Sequence, residues 1–162
     1  MYTLDVGGGA YPRAQVVLDI HPPVSKPNAD YVVGDACHFP FRSNSFKIVV
    51  SYGAVNYFSN DAKFLEEVKR VLRSDGILIL SSLTNYCMML SFIKLLGRNP
   101  AGALKLALNA IRRRYRWYTL KGLANKVESA KFKVVRAYPN VLFPWRPTTA
   151  PYNILVGAVY AD

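Results

Sequence analysis

LDVGGGAYPRAQVVLDIH, residues Leu4–His21, decides the fold of this chain. Leu4 and Val6 belong to a short apolar run that reads as a buried strand. Gly7, Gly8 and Gly9 end it. Three consecutive glycines cost chain entropy, and they let the backbone turn tightly and admit a ligand closely. Val16–Asp19 reads as a second strand closed by a carboxylate. Strand, glycine turn, strand and terminal acid form the plan of a nucleoside-binding α/β crevice, with Asp19 accepting from two ribose hydroxyls. A dinucleotide fingerprint fits less well. Pro12 stands where its third glycine belongs, and Asp19 follows Gly7 by twelve residues, where that fingerprint places its acid about 20 residues on. The gap leaves scarcely any room for a crossover helix, so a loop or single turn is expected there.

Outward from this stretch, the chain alternates short apolar strands with connections. Tyr31–Val33 reads as a third strand, running into Gly34-Asp35 after a proline-rich loop. FKIVVSY, Phe46–Tyr52, is a fourth. Asn60–Leu72 reads as a helix with Asp61 helping to cap it and Phe64, Leu65, Val68, Val71 and Leu72 on its apolar face. Ser74-Asp75-Gly76 ends that helix, and GILILSS, Gly76–Ser82, is a fully apolar strand of the parallel type. Residues 85–118 break the rhythm and read as a helical lid or insertion, split by Gly97, Asn99, Pro100 and Gly102. Thr119 is expected to cap a further helix, and Phe132–Ala137 and Asn153–Tyr160 are the last strands. The pattern predicts one α/β domain over residues 1–162.

Composition agrees. With 162 residues, 51% of them hydrophobic, the chain supports one core. Two cysteines and two histidines without a CxxC pair point to neither a disulfide framework nor a metal site. No stretch has the form of a signal peptide or a membrane span, which predicts a cytoplasmic protein. The net charge is +11 and lopsided: residues 1–80 carry eight Lys/Arg and eight Asp/Glu, residues 81–162 thirteen and two. The basic half predicts an anionic partner such as RNA.

Five segments, in order, resemble the class I S-adenosylmethionine-dependent methyltransferases, particularly the type-11-like branch: LDVGGG (Leu4–Gly9), VVLDI with Asp19, GDACHFPF (Gly34–Phe41) leading into FKIVVSYGAVNYF, FLEEVKRVLRSDGILILSS (Phe64–Ser82), and WYTLKGLANKVESAKFKVVRAYP. The chain looks like a minimal version lacking the N-terminal helix. The resemblance implies a Rossmann-like, mostly parallel seven-stranded sheet with its last strand antiparallel and helices on both faces. It implies S-adenosyl-L-methionine as cofactor, with Asp5, Gly7, Gly8, Gly9, Asp19, Ile20, Asp35, Ala36 and Ser51 binding it, Asp35 at the adenine amino group and Ala36 N–H at the ring. Asn56, Tyr52 and Tyr57 are expected at the acceptor as catalytic residues. The shortened first loop leaves a place for a homodimer mate or partner subunit to complete the site.

Methyl transfer from a sulfonium needs alignment and exclusion of water more than a catalytic triad. The acceptor is therefore open: RNA, read by Arg112, Arg113, Arg114, Arg116, Trp117 and Tyr118 through phosphate pairing and base stacking, or a small hydrophobic molecule held under the apolar lid. The alternative of another class is a non-catalytic basic nucleic-acid-binding or partner-dependent protein on the same fold.

Overall fold

The computed structural model describes residues 2–9, 11–23, 28–83, 85–112, 116, 118–140 and 152–159. Four strands come first: β1 (Thr3–Val6), β2 (Val16–Asp19), β3 (Asp30–Val33) and β4 (Phe46–Tyr52). A 3-10 turn, Val55–Tyr57, leads to α1 (Asp61–Val71), and β5 (Leu72–Leu83) follows it directly. Helices α2 (Asn85–Arg98), α3 (Pro100–Arg112) and α4 (Leu120–Ser129) precede β6 (Phe132–Asn140) and β7 (Tyr152–Val159). The strands form one sheet in the order β3-β2-β1-β4-β5-β7-β6. Pairing is parallel from β3 through β5, and β7 runs antiparallel to both β5 and β6.

The register sorts side chains by face, because alternate strand residues point to opposite sides. Leu4 aligns with Val16 and Val49, and Val49 with Leu78. These residues, with Val6, Leu18 and Leu80, are buried in one cluster with Phe64, Leu65, Val68 and Val71 of α1 and Leu123 and Val127 of α4. On the other face Ile48, Val50, Ile77 and Ile79 are only half-buried. Helices α1 and α4 share one core on one face of the sheet, and no helix stands among the described residues of the β1–β2 and β2–β3 connections. Those connections are short and carry Pro12, Pro22 and Pro23, which leaves no room for a crossover helix.

Helix ends differ from their sequence reading in instructive ways. Asn60, not Asp61, caps α1: its side chain accepts from Ala62 N at 3.1 Å and Lys63 N at 3.2 Å. Thr119 caps α4 as expected, accepting from Gly122 N at 3.0 Å. Gly97 does not break α2. Asn99 alone separates α2 from α3, and its side chain accepts from Gly102 N at 2.8 Å. Pro100 then sits at the first position of α3, where its missing N–H costs nothing.

Candidate cofactor and acceptor site

The carboxyl ends of β1, β2, β3 and β4 meet around a cleft of about 810 Å³, which is where ligands bind in open α/β sheets. Gly7 begins the wall. Its φ is +74°, and a Cβ there would lie 2.3 Å from the Ala54 Cβ on the opposite side. Its N–H donates to Leu18 O at 2.7 Å, locking the turn against β2. Only glycine satisfies both the torsion and the approach.

Asp19 closes β2 and faces the cleft. Its Oδ2 accepts from Gly9 N and its Oδ1 from His21 N, each at 3.0 Å. A carboxylate has about four acceptor sites, so lone pairs remain for a ligand. Ile20 and His21 continue the same wall, with His21 O accepting from the Tyr31 hydroxyl at 3.0 Å. Asp35 and Ala36 follow β3 and line the cleft too. Asp35 Oδ1 accepts from Cys37 N at 2.9 Å and Oδ2 lies 3.1 Å from His38 Nδ1. The bond from Cys37 N, with a smaller contribution from His38, holds the Asp35 carboxyl below its ordinary value despite some burial. The next loop is clamped by α1. Glu67 Oε2 accepts from Phe39 N at 2.8 Å, and Arg70 donates to Phe41 O at 2.8 Å and Phe39 O at 3.0 Å.

The end of β4 supplies the remaining wall: Tyr52, Gly53, Ala54, Tyr57, Phe58 and Ser59. The Arg13 guanidinium lies 4.6 Å from the Tyr52 ring centroid, in cation–π contact. Gly34, His21, Phe58 and Ser59 were not expected here from the sequence. The signal that finds them is position just beyond a strand's carboxyl end.

Five expected site residues, Asp5, Gly8, Gly9, Ser51 and Asn56, are not among those that line the cleft. Asp5 is fully buried and outside the cleft wall; its Oδ2 accepts from Arg13 N at 2.9 Å, while Oδ1 has no hydrogen-bond partner. Burial pushes its carboxyl above the ordinary value, against the lowering by the Arg13 N–H and charge. Asp5 thereby braces the loop that follows β1 and is not among the residues that line the cleft. Gly8 explains the fit, since a Cβ on it would lie 2.7 Å from Asp5 Oδ2. Ser51, also fully buried, donates to Val6 O at 3.0 Å and ties β4 to β1.

Asn56 is buried, and its amide is spent on structure. Oδ1 accepts from Leu83 N at 2.9 Å and Ser82 Oγ at 3.3 Å; Nδ2 donates to Leu83 O at 3.2 Å and Arg116 O at 2.5 Å. Two donors and two acceptors are the full capacity of an amide, so nothing is left for an acceptor molecule. Tyr52 and Tyr57 line the cleft.

Of the basic aromatic cluster, Arg113, Arg114 and Trp117 lie outside the described residues, as does the side chain of Arg112. Arg116 and Tyr118 are described, and both are turned to a structural task. The Tyr118 hydroxyl donates to Asp61 Oδ2 at 2.6 Å, Lys126 Nζ lies 2.5 Å from the same oxygen, and Arg116 Nη1 lies 3.1 Å from Asp61 Oδ1. That last contact is an ion pair without hydrogen-bond geometry; Arg116 Nη2 makes its bond to Ser59 O at 2.8 Å. Neither side chain is free to read a nucleic acid.

Residues 4–80 match the methyltransferase domain family. A phthiotriol/phenolphthiotriol dimycocerosates methyltransferase of Mycobacterium leprae is 34% identical over 92 residues, 48% of this chain and 34% of that protein. A Methanocaldococcus jannaschii protein, MJ1252, is 32% identical over 146 residues, 82% of this chain and 53% of that one. The chain thus spans about half or less of the length of these curated relatives. Among solved structures, the Burkholderia thailandensis 1,6-didemethyltoxoflavin-N1-methyltransferase, crystallised with 1,6-didemethyltoxoflavin and S-adenosylhomocysteine, superposes with a TM-score of 0.68 at 14% identity, over 98% of this chain and 71% of that one. At that identity it shows a shared fold.

Proposed function

We propose, from the match of residues 4–80 to the methyltransferase domain family, that the protein is a class I methyltransferase of the type-11 branch that transfers a methyl group from S-adenosylmethionine to a small, largely apolar acceptor. The observation that carries the reading is the convergence of Asp19, Asp35 and the Gly7 turn on one cleft. Two carboxylates at neighbouring strand ends suit the two polar ends of a nucleoside, and the glycine turn leaves space where a side chain would intrude. The sheet order, with β7 antiparallel beside β5, supports the same reading.

When bound, that cofactor supplies an electrophilic methyl on a sulfonium, and the neutral thioether that leaves takes the bonding pair. The chain's part is to bind, orient and exclude water. Asp19 accepts the ribose hydroxyls on the lone pairs that Gly9 N and His21 N leave open. Asp35 accepts the adenine amino group, and Ala36 N–H donates to the ring. Ile20 covers the outer side. Tyr52, Tyr57 and Phe58 form the wall nearest the acceptor, where aromatic faces favour an apolar molecule and the tyrosine hydroxyls can orient its nucleophilic atom. Asn56 contributes through the loop that it holds.

Calorimetric titration with S-adenosylmethionine and S-adenosylhomocysteine tests this, with Asp19→Ala and Asp35→Ala beside the wild type. Each substitution removes a charged hydrogen-bond acceptor and is expected to weaken binding about tenfold or more while the fold, checked by circular dichroism, persists. A well-folded wild type that takes up neither ligand overturns the reading.

A further inference from the structure

The pair α2–α3 carries a surface outside the residues that line the cleft. Ile93 and Leu96 of α2 are 56% and 50% exposed, and Leu104 and Leu108 of α3 are 61% and 56% exposed. Leu104 and Leu108 are one turn apart and share a face of α3, and Ile93 and Leu96 do the same on α2. The helices pack against each other, and residues 96–101, around the Asn99 junction, form an exposed tip. Arg98 is exposed at that tip, and Lys94 and Lys105 are exposed on the helices that lead to it. Residues 76–127 contain nine Lys/Arg and no Asp/Glu.

We propose that the α2–α3 tip docks on an anionic lipid bilayer, with Ile93, Leu96, Leu104 and Leu108 entering the headgroup–acyl boundary and Lys94, Arg98 and Lys105 meeting the headgroups. Large aliphatic side chains exposed together mark an interaction surface, and an apolar stripe with flanking cations is the composition of an interface-lying helix. Among the described residues no helix is long and apolar enough to cross a membrane, so the contact is with the surface. Charge selects among occupants. A second copy would bring two carboxylate-free basic tips together. RNA would find aliphatic side chains at this tip, which offer no stacking platform.

The docking surface does not depend on the methyl-transfer reading, and its test needs no cofactor. The chain is sedimented with vesicles of phosphatidylcholine alone and of phosphatidylcholine with phosphatidylglycerol in equal parts, beside Leu104→Gln/Leu108→Gln and Lys94→Gln/Lys105→Gln. Wild type is expected to bind the anionic vesicles at least about tenfold more tightly than the neutral ones. The leucine double variant is expected to lose about tenfold or more on the anionic vesicles, and the lysine double variant to lose the preference for them. Circular dichroism shows that the variants are folded. The proposal is overturned if wild type stays in the supernatant with both vesicle types, or if the folded leucine variant binds as wild type does. It is also overturned if sedimentation velocity shows a dimer that the leucine substitutions dissolve while vesicles bind nothing. Tight binding of a labelled single-stranded RNA with no vesicle binding would assign the basic surface to nucleic acid instead.

Discussion

Asn56 and Arg116, sixty residues apart, are bonded in both directions: Arg116 N donates to the Asn56 carbonyl oxygen at 3.1 Å, and Asn56 Nδ2 donates to Arg116 O at 2.5 Å. The same amide brackets Leu83 through its N–H and its carbonyl. Leu83 ends β5 just before α2, and Arg116 follows α3. One buried side chain therefore pins together the two ends of the helical insertion and fastens both to the turn that walls the cleft.

Asn56→Ala is expected to destabilise the protein by about 3 kcal/mol, because Leu83 N and O and Arg116 O lose a common partner. Urea unfolding measures this. Cofactor affinity in the folded variant is expected to fall less than in Asp19→Ala, since the Asn56 side chain lies outside the cleft wall and acts through the turn that it holds. A variant of wild-type stability that has lost turnover would instead show that Asn56 takes part in the chemistry.

Asp61 makes stability fall in acid. Burial pushes its carboxyl up, but the hydrogen bonds from Lys126 and Tyr118 and the charges of Lys126 and Arg116 outweigh that and hold it below its ordinary value. A carboxyl lowered in the folded state stabilises above its unfolded pKa, and that contribution disappears as pH falls through the folded value. The loss is expected below about pH 4. Asp61→Asn is expected to cost about 2 kcal/mol at neutral pH, a figure discounted for the part-exposed lysine and arginine. It is also expected to flatten the acid limb of melting temperature plotted against pH. An acid limb as steep as that of the wild type would place the titrating group elsewhere.

Gly7→Ala combines two penalties, a left-handed torsion and a contact of 2.3 Å with Ala54. Together they are expected to cost about 3 kcal/mol and to weaken cofactor binding, because Gly7 lines the cleft. Adding Ala54→Gly removes the clash and leaves the torsion, so the double variant is expected to recover part of the stability. Thermal melts of the three proteins separate the terms. Equal stability of the single and double variants would show that the turn relaxes away from Ala54.

The positions of Asp19 and Asp35 were legible because each follows an apolar strand run, and a strand's end is marked locally. Asn56 was read as an acceptor contact from the family resemblance of the stretch that follows β4. Its partners lie 27 and 60 residues away, beyond any local pattern. RRRYRWY looked like a recognition surface for the same reason: sequence shows the charge of Arg116 and the ring of Tyr118, and not the Asp61 that takes them up from 55 and 57 residues upstream.

By itself, then, the sequence determined the alternation of strands and connections, the glycine turn at Gly7 and the two cleft carboxylates, because period, turn chemistry and strand ends are properties of neighbouring residues. Tertiary structure decided which polar groups remain available. Burial and long-range hydrogen bonding spend Ser51, Asn56, Arg116 and Tyr118 on holding the fold, whereas Asp19 and Asp35, at strand ends that open on the cleft, keep lone pairs for a ligand.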